Sequence, residues 1–375
     1  VRIDRLELRL CRLPLVSFFE TSFGRCYDRQ FLLVRLEGEG HEGWGEAVAE
    51  GNPYYSSETT ETAWHIITGF IAPRVLGAVF EHPREIFPAL RAIRGHNMAK
   101  AAVDMAAWDL YARSIGQPLS RVLGGTRSRI ASGVSIGIQD SFDQLAAKVE
   151  RELAAGYQRI KIKVKPGWDI EAAEMIRVRF GSVPLMVDAN AAYTLADAAH
   201  LARFDAFELM MIEQPLDYDD VSDHAELQRT MATPICLDES IHTVRVARDA
   251  IRMAACRIIN IKPGRVGGHG ESIRLHDLCL AQGIPVWHGG MLETGIGRAH
   301  NIHLASLPNF TLPGDIAASQ RYYQPDLIEP PIEVAADGTI AVPDAPGIGV
   351  TIVPERVEQA TERSVTLDAA RATVA

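Results

Sequence analysis

Short apolar runs, each ending in polar or charged residues, recur through the middle of the chain. They are Val134–Ile138, Arg159–Val164, Leu185–Asn190, Leu209–Gln214, Pro234–Glu239, Ile258–Pro263, Pro285–Gly290 and Phe310–Asp315. Their starts are spaced by about 25 residues, a period that marks a repeated supersecondary unit. Amphipathic helical segments lie between most of them, among them Asp169–Arg179, Leu195–Arg203 and Val244–Met253. Such alternation predicts a parallel sheet, and eight units predict a (β/α) barrel. An open doubly wound sheet is the alternative. It is weaker because no GxGxxG follows the first strand of the series.

The chain before the barrel has another pattern. Val1–Leu13, Phe31–Glu37 and Trp44–Val48 read as an antiparallel meander, with Gly38-Glu39-Gly40 at one turn. A helix through Glu61–Phe70 is predicted to start near Ser56 or Ser57, both suitable N-caps. A second, Met98–Ser114, stops at Gly116 with Pro118 beyond it. The organisation expected is an α+β unit over residues 1–125 and the barrel over 126–325. A Pro- and Gly-rich tail, 326–375, is expected to return to the first unit.

Charge narrows the partners. Thirty-eight Lys and Arg stand against 48 Asp and Glu, for a net charge of −10 over 375 residues, with 47% hydrophobic residues. That is globular composition, and an acidic chain without a basic stripe argues against nucleic acid. No apolar run approaches the roughly 20 residues of a membrane helix. Charges interleave the apolar positions of Val1–Leu13, so that segment reads as a strand and not as a signal peptide. The five cysteines are odd in number and widely spaced, which fits reduced thiols in a cytoplasm.

Barrel chemistry gathers at the C-terminal ends of the strands. There the second run gives Lys161 and Lys163, the third Asp188 and Asn190, the fourth Glu213, the fifth Asp238 and Glu239, and the sixth Lys262. One strand-terminal Asp is more often a helix cap or a solvated residue. Three consecutive strands that each bring a carboxylate to one rim repel one another and call for a cation. All-oxygen ligation suits Mg²⁺, with Mn²⁺ or another divalent ion as a substitute. Neighbours on a strand face opposite ways, so either Asp238 or Glu239 could be the third ligand.

Strands two and six of eight are diametrically opposite, which would put Lys163 and Lys262 on two sides of a metal-bound small-molecule carboxylate. Lys161 could orient or tune its neighbours, and Lys165, before Pro166, reads as solvated. A proton α to a carboxylate is weakly acidic. A metal can stabilise the enediolate left behind, and a desolvated lysine can be the base. Racemisation, β-elimination and cycloisomerisation all fit. A Schiff-base aldolase would use the sixth-strand lysine as an imine-forming amine, but needs no carboxylate trio. A non-catalytic carboxylate-binding protein is a further alternative.

These strings resemble the enolase superfamily, in its muconate-lactonizing branch: KIKVKPGWD (161–169), VDAN (187–190), IEQPL (212–216), CLDES (236–240), NIKPGRVGG (260–268) and GGMLETGIGRAHN (289–301). PLVSFFETSFG (14–24), PYYSSE (53–58), HNMAKAA (96–102) and SLPNFTLPGD (306–315) are similar to its N-succinylamino acid racemase/o-succinylbenzoate synthase group. The resemblance implies an α/β chain: a modified (β/α)8-type, TIM-like (β/α)7β barrel with an α+β capping domain. It implies Asp188, Glu213 and Asp238 as Mg²⁺ ligands and Lys163 as the base. Lys262 stays cationic in dehydration and exchanges protons in racemisation. Ser135, Asn190, Gly290, Met291, Tyr55 and Arg265 are implied around the substrate, with loops near Thr21–Phe23 and Gly51–Tyr55 closing over it. Dipeptide epimerisation is another reaction of the branch, and a homo-oligomer is expected.

Three features stand apart from that pattern. Glu50-Gly51-Asn52 is more polar than the specificity loop of relatives. His288 ends the seventh run, where it would be a pocket-wall residue or lie one layer behind. Trp287 is placed near the rim, whereas the other tryptophans read as core.

Overall fold

The computed structural model describes residues 1–369. Residues 370–375 of the tail expected to return to the first unit lie outside them. The chain opens with long antiparallel strands β1 (Arg5–Thr21), β2 (Gly24–Gly38) and β3 (His41–Ala47). The β2–β3 turn is Glu39-Gly40, both at positive φ (53° and 79°), which matches the twist of a tight hairpin. β1 and β2 run further than the apolar pattern indicated. Their distal ends pair Phe19 with Cys26 and Thr21 with Gly24 beyond an irregularity after Pro14.

Helix α1 (Thr60–Ile66) starts one turn later than expected. Thr59 is its cap, with its side chain accepting from the Thr62 N–H at 3.3 Å. Ser56 instead accepts from the Glu58 N–H within the preceding loop. Helix α2 (Asn97–Ser114) is buried on nearly every side. Its alanines lie against β3, where a Cβ at Gly43 or Gly45 would collide with the α2 backbone. Small residues on both partners therefore permit an approach that larger ones would forbid.

Seven parallel strands follow in one sheet: β4 (Val134–Ile136), β5 (Ile160–Lys163), β6 (Leu185–Asp188), β7 (Ile212–Glu213), β8 (Ile235–Leu237), β9 (Ile258–Ile261) and β10 (Val286–His288). The eighth run, Phe310–Asp315, forms no strand. It makes parallel bridges at Phe310 to Val286 and at Gly314 to Ser132, and so joins the two edges. Pro313 has no N–H to give a ladder there, which explains the interruption. Strand β11 (Thr361–Asp368) pairs antiparallel with β1, giving the sheet order β11-β1-β2-β3.

The N-terminal sheet unit and the barrel are stitched by buried carboxylates at helix N-termini, where free N–H groups accept them. Glu46 of β3 takes Thr294 N, Thr294 Oγ1 and Gly297 N at the start of helix α3 (Gly295–Ala305). Asp104 of α2 takes His269 N at 2.7 Å, at the start of the helix His269–Ala281. Burial raises both, Glu46 to about 7 and Asp104 to about 8, the N–H groups pulling the other way.

Candidate active site

Register decides what points into the barrel. Lys161 pairs with Met186, Lys163 with Asp188, Asp188 with Glu213, Glu213 with Cys236 and Asn260 with Trp287. Met186, Met211, Cys236, Ile258 and Trp287 form a small apolar floor. Trp287 is thus at the bottom and fully buried, not near the rim. His288, its neighbour, shares a face with Ile261 and stacks on Phe310 at 6.0 Å. It points to the helix layer, so it is no pocket wall, and burial lowers it to about 3.

Above the floor lies a layer of charge. Lys161 Nζ is 2.9 Å from Glu213, 3.1 Å from Asp188 and 2.5 Å from Asp315, with the Trp287 ring centroid at 4.9 Å. Lys163 Nζ donates to Asp188 Oδ2 (2.6 Å) and Asn190 Oδ1 (2.7 Å). Lys262 Nζ donates to Asp238 Oδ2 (2.6 Å) and Tyr55 Oη (3.2 Å). Asn260 donates to Glu213 at 2.6 Å, and Asn190 to Glu239 at 2.9 Å.

The titrations follow these contacts. Burial, then the charge of Asp188, pushes Glu213 up to about 8. Burial opposes ionisation of Asp188, yet Lys163 and Lys161 hold it well below the usual carboxylate range. Asp238 is held low in the same way by Lys262 and Arg265. Burial would strip protons from Lys161 and Lys262, but Asp315 on the first and Asp238 on the second keep both strongly basic.

A cavity of about 380 Å³ opens onto this layer. Ser135, Lys161, Lys163, Asn190, Lys262, Gly290, Met291 and Tyr55 line it, with Phe19, Thr21 and Phe23 from the β1–β2 hairpin and Asn52 and Tyr54 from the loop after β3. Lys163 (β5) and Lys262 (after β9) leave strands four apart around eight staves, into one cavity. Arg265, expected among the substrate-binding residues, is not in its wall. Asp238, the Ile241 carbonyl (2.7 Å) and the Asn260 carbonyl (2.5 Å) hold the guanidinium behind the acid.

The sequence matches two family models: the mandelate racemase/muconate lactonizing enzyme N-terminal domain over residues 9–124, and the enolase C-terminal domain-like family over 144–356. The chain belongs to the mandelate racemase/muconate lactonizing enzyme family. Within that family it is 51% identical over 363 residues to an o-succinylbenzoate synthase of Geobacillus kaustophilus, covering 96% of each chain. It is 50% identical over 361 residues to an N-succinylamino acid racemase of Thermus thermophilus, covering 96% of this chain and 98% of the other. A crystal structure of an enolase superfamily member from Listeria innocua superposes with a TM-score of 0.94 at 38% identity, over 98% of this chain and 99% of that one. The protein is therefore an enzyme of a family that depends on a divalent metal.

The donor set fits such an ion. Asp188, Glu213 and Asp238, each at most 1% exposed, come from consecutive strands, and hard carboxylate oxygens suit a hard cation. Glu239 Oε2 and Asn260 Oδ1 are buried beside them without a partner. The carboxylates here are turned onto lysines. Among the described residues no three His, Cys, Asp or Glu side chains form a ready cage, so an ion held here would have to replace the amine partners of these carboxylates.

Asp315 is the residue that sequence reasoning passed over. It ends the eighth run, where the same strand-end rule would have found it. Its carboxylate bridges Lys161 and Arg159, the latter at 2.7 Å.

Proposed function

We propose that the enzyme removes a proton α to a carboxylate through an enediolate. It would dehydrate 2-succinyl-6-hydroxy-2,4-cyclohexadiene-1-carboxylate, as an o-succinylbenzoate synthase, and racemise N-succinylamino acids at the same site. One observation carries this reading: two amines, Lys163 and Lys262, enter one cavity from strands four apart, over three buried carboxylates. The identity of about 50% to both kinds of enzyme supports it.

Asp188, Glu213 and Asp238 would hold Mg²⁺, or Mn²⁺ in its place. The ion supplies positive charge for the developing enediolate. A desolvated lysine released from its carboxylate partner is a competent base at neutral pH. In dehydration Lys163 takes the α-proton and returns it to the leaving hydroxide, while Lys262, held cationic, faces the enediolate. In racemisation the two amines serve opposite faces, one removing and the other delivering the proton. Ser135, which lines the cavity and whose Oγ is buried without a partner, would donate to the substrate. The five unpaired cysteines fit a reducing compartment, and we place the enzyme in the cytoplasm. Among the described residues no helix is long and apolar enough to cross a membrane.

Steady-state rates on the cyclohexadiene precursor and on both enantiomers of several N-succinylamino acids test this. Turnover of both classes is expected. Failure on both, with Mg²⁺ present, would overturn the reading.

A further inference from the structure

Two loops wall the cavity beside Lys262, and one side chain behind them ties both. Arg29, on β2, is 2% exposed and lies outside the cavity lining. Its Nη2 donates to the Val48 carbonyl at 2.9 Å and to the Met291 carbonyl at 3.2 Å. Its Nη1 lies 3.1 Å from the Glu50 carboxylate. Val48 and Glu50 are the root of the segment that carries Asn52, Tyr54 and Tyr55 into the cavity. Met291 belongs to the loop after β10 and brings its Sδ to 3.5 Å from Lys262 Nζ. Tyr55 accepts from the same ammonium and donates to Asp238 at 3.1 Å.

Two of the three neighbours of the Lys262 amine, Tyr55 and Met291, thus hang from backbone that a single guanidinium grips. A buried Arg is costly to desolvate, and an apolar chain of similar length would fill the space without that cost. What the apolar chain lacks is a planar fork able to bridge acceptors on two loops. The polar Glu50 has the same explanation, since it is the counter-charge of Arg29. We propose that Arg29 is a positioning residue. It couples the 50–58 segment to the 289–294 loop and so fixes Tyr55 and Met291 against Lys262, with Glu50 as its anchor on the substrate side. This rests on the function proposed above only in its kinetic part.

The test compares the Mg²⁺-loaded full chain with Arg29→Met, Arg29→Lys and Glu50→Gln, by hydrogen–deuterium exchange and by racemisation kinetics. Arg29→Met should speed exchange in 50–58 and in 289–294 by about tenfold or more while the barrel strands keep their protection. It should also lower kcat and raise KM, each by about tenfold. Arg29→Lys keeps a charge for Glu50 but not the fork, so kcat stays low while KM partly recovers. Glu50→Gln should loosen only 50–58 and raise KM about fivefold, with kcat within about twofold. Unchanged exchange in both segments of Arg29→Met, or equal loosening of both by Glu50→Gln, would overturn the proposal. If Arg29→Met does not fold, the contrast between the other two variants decides. Exchange needs no turnover, so an inactive wild type would sink the functional reading and leave this one to be judged on exchange.

Discussion

Asp315→Asn removes a charge that two buried cations share. Its carboxylate is 6% exposed, 2.5 Å from Lys161 Nζ and 2.7 Å from Arg159 Nη1. Lys161 keeps Glu213 and Asp188 after the change, but Arg159 is left with the Pro313 carbonyl at 2.9 Å and the face of Trp287. Removing one partner of a buried pair costs about 3–5 kcal/mol. Linkage gives an independent figure. Burial raises the Asp315 carboxyl, but Arg159 and then Lys161 overcome it and hold it at about 2, from an ordinary 3.8. That depression corresponds to roughly 2–3 kcal/mol. An asparagine must turn its NH2 toward one of the two cations, which a protonated carboxyl need not, so the smaller number is expected from pH and the larger from the substitution. The folded value is depressed, so this stability is present above about pH 4 and fades as pH falls toward 2. Urea unfolding at pH 7 is the assay. A loss of about 3 kcal/mol moves the midpoint by about 1 M at an m-value of about 3 kcal/mol/M. A midpoint unchanged within about 0.2 M would refute the claim that Asp315 balances Arg159.

Lys163→Ala should abolish dehydration and racemisation together, because one amine serves both; a variant that retains either at near wild-type rate contradicts this. Lys262→Arg should keep some dehydration, since charge is preserved, but lose racemisation, since arginine is a poor acid; equal loss of the two activities would count against that division. Chelation should remove both activities and added Mg²⁺ should restore them, and persistence in excess chelator would exclude the metal role. Gly45→Ala should cost about 1–3 kcal/mol or more by pushing β3 off helix α2, read as a lowered urea midpoint; a stability equal to wild type would show that the close approach is not required.

Much of the site was legible because strand ends and chemistry coincide in a barrel. Lys161, Asp188, Glu213, Asp238 and Lys262 each close an apolar run, so the strand-end rule brought them to one rim, although alternation alone left Asp238 and Glu239 undecided. The eighth run was legible as a run but not as an irregular one, since its bridges form around Pro313 where a ladder cannot. Asp315 shared the signal of the other acids, as the polar end of the eighth run, but was not taken into the site. Trp287 and His288 show the limit of unaided alternation. Neighbours must face opposite ways, but only pairing with Asn260 and Ile261 shows which one enters the barrel. Arg265 sits three residues after Lys262, and a single helical turn, Pro263–Val266, takes it behind Asp238 and out of the cavity lining. Arg29 had no signal at all, because its partners come from two segments, around Val48–Glu50 and at Met291, that are far apart in the chain.

The central claim is that two amines address opposite faces of one α-carbon. Proton–deuterium exchange in D₂O, followed by NMR on each pure enantiomer of an N-succinylamino acid, tests it with Lys163→Ala and Lys262→Ala. Each variant should retain exchange with one enantiomer, and the two variants should spare opposite enantiomers. Loss of exchange with the same enantiomer in both, or full exchange of both enantiomers in either, would contradict the account.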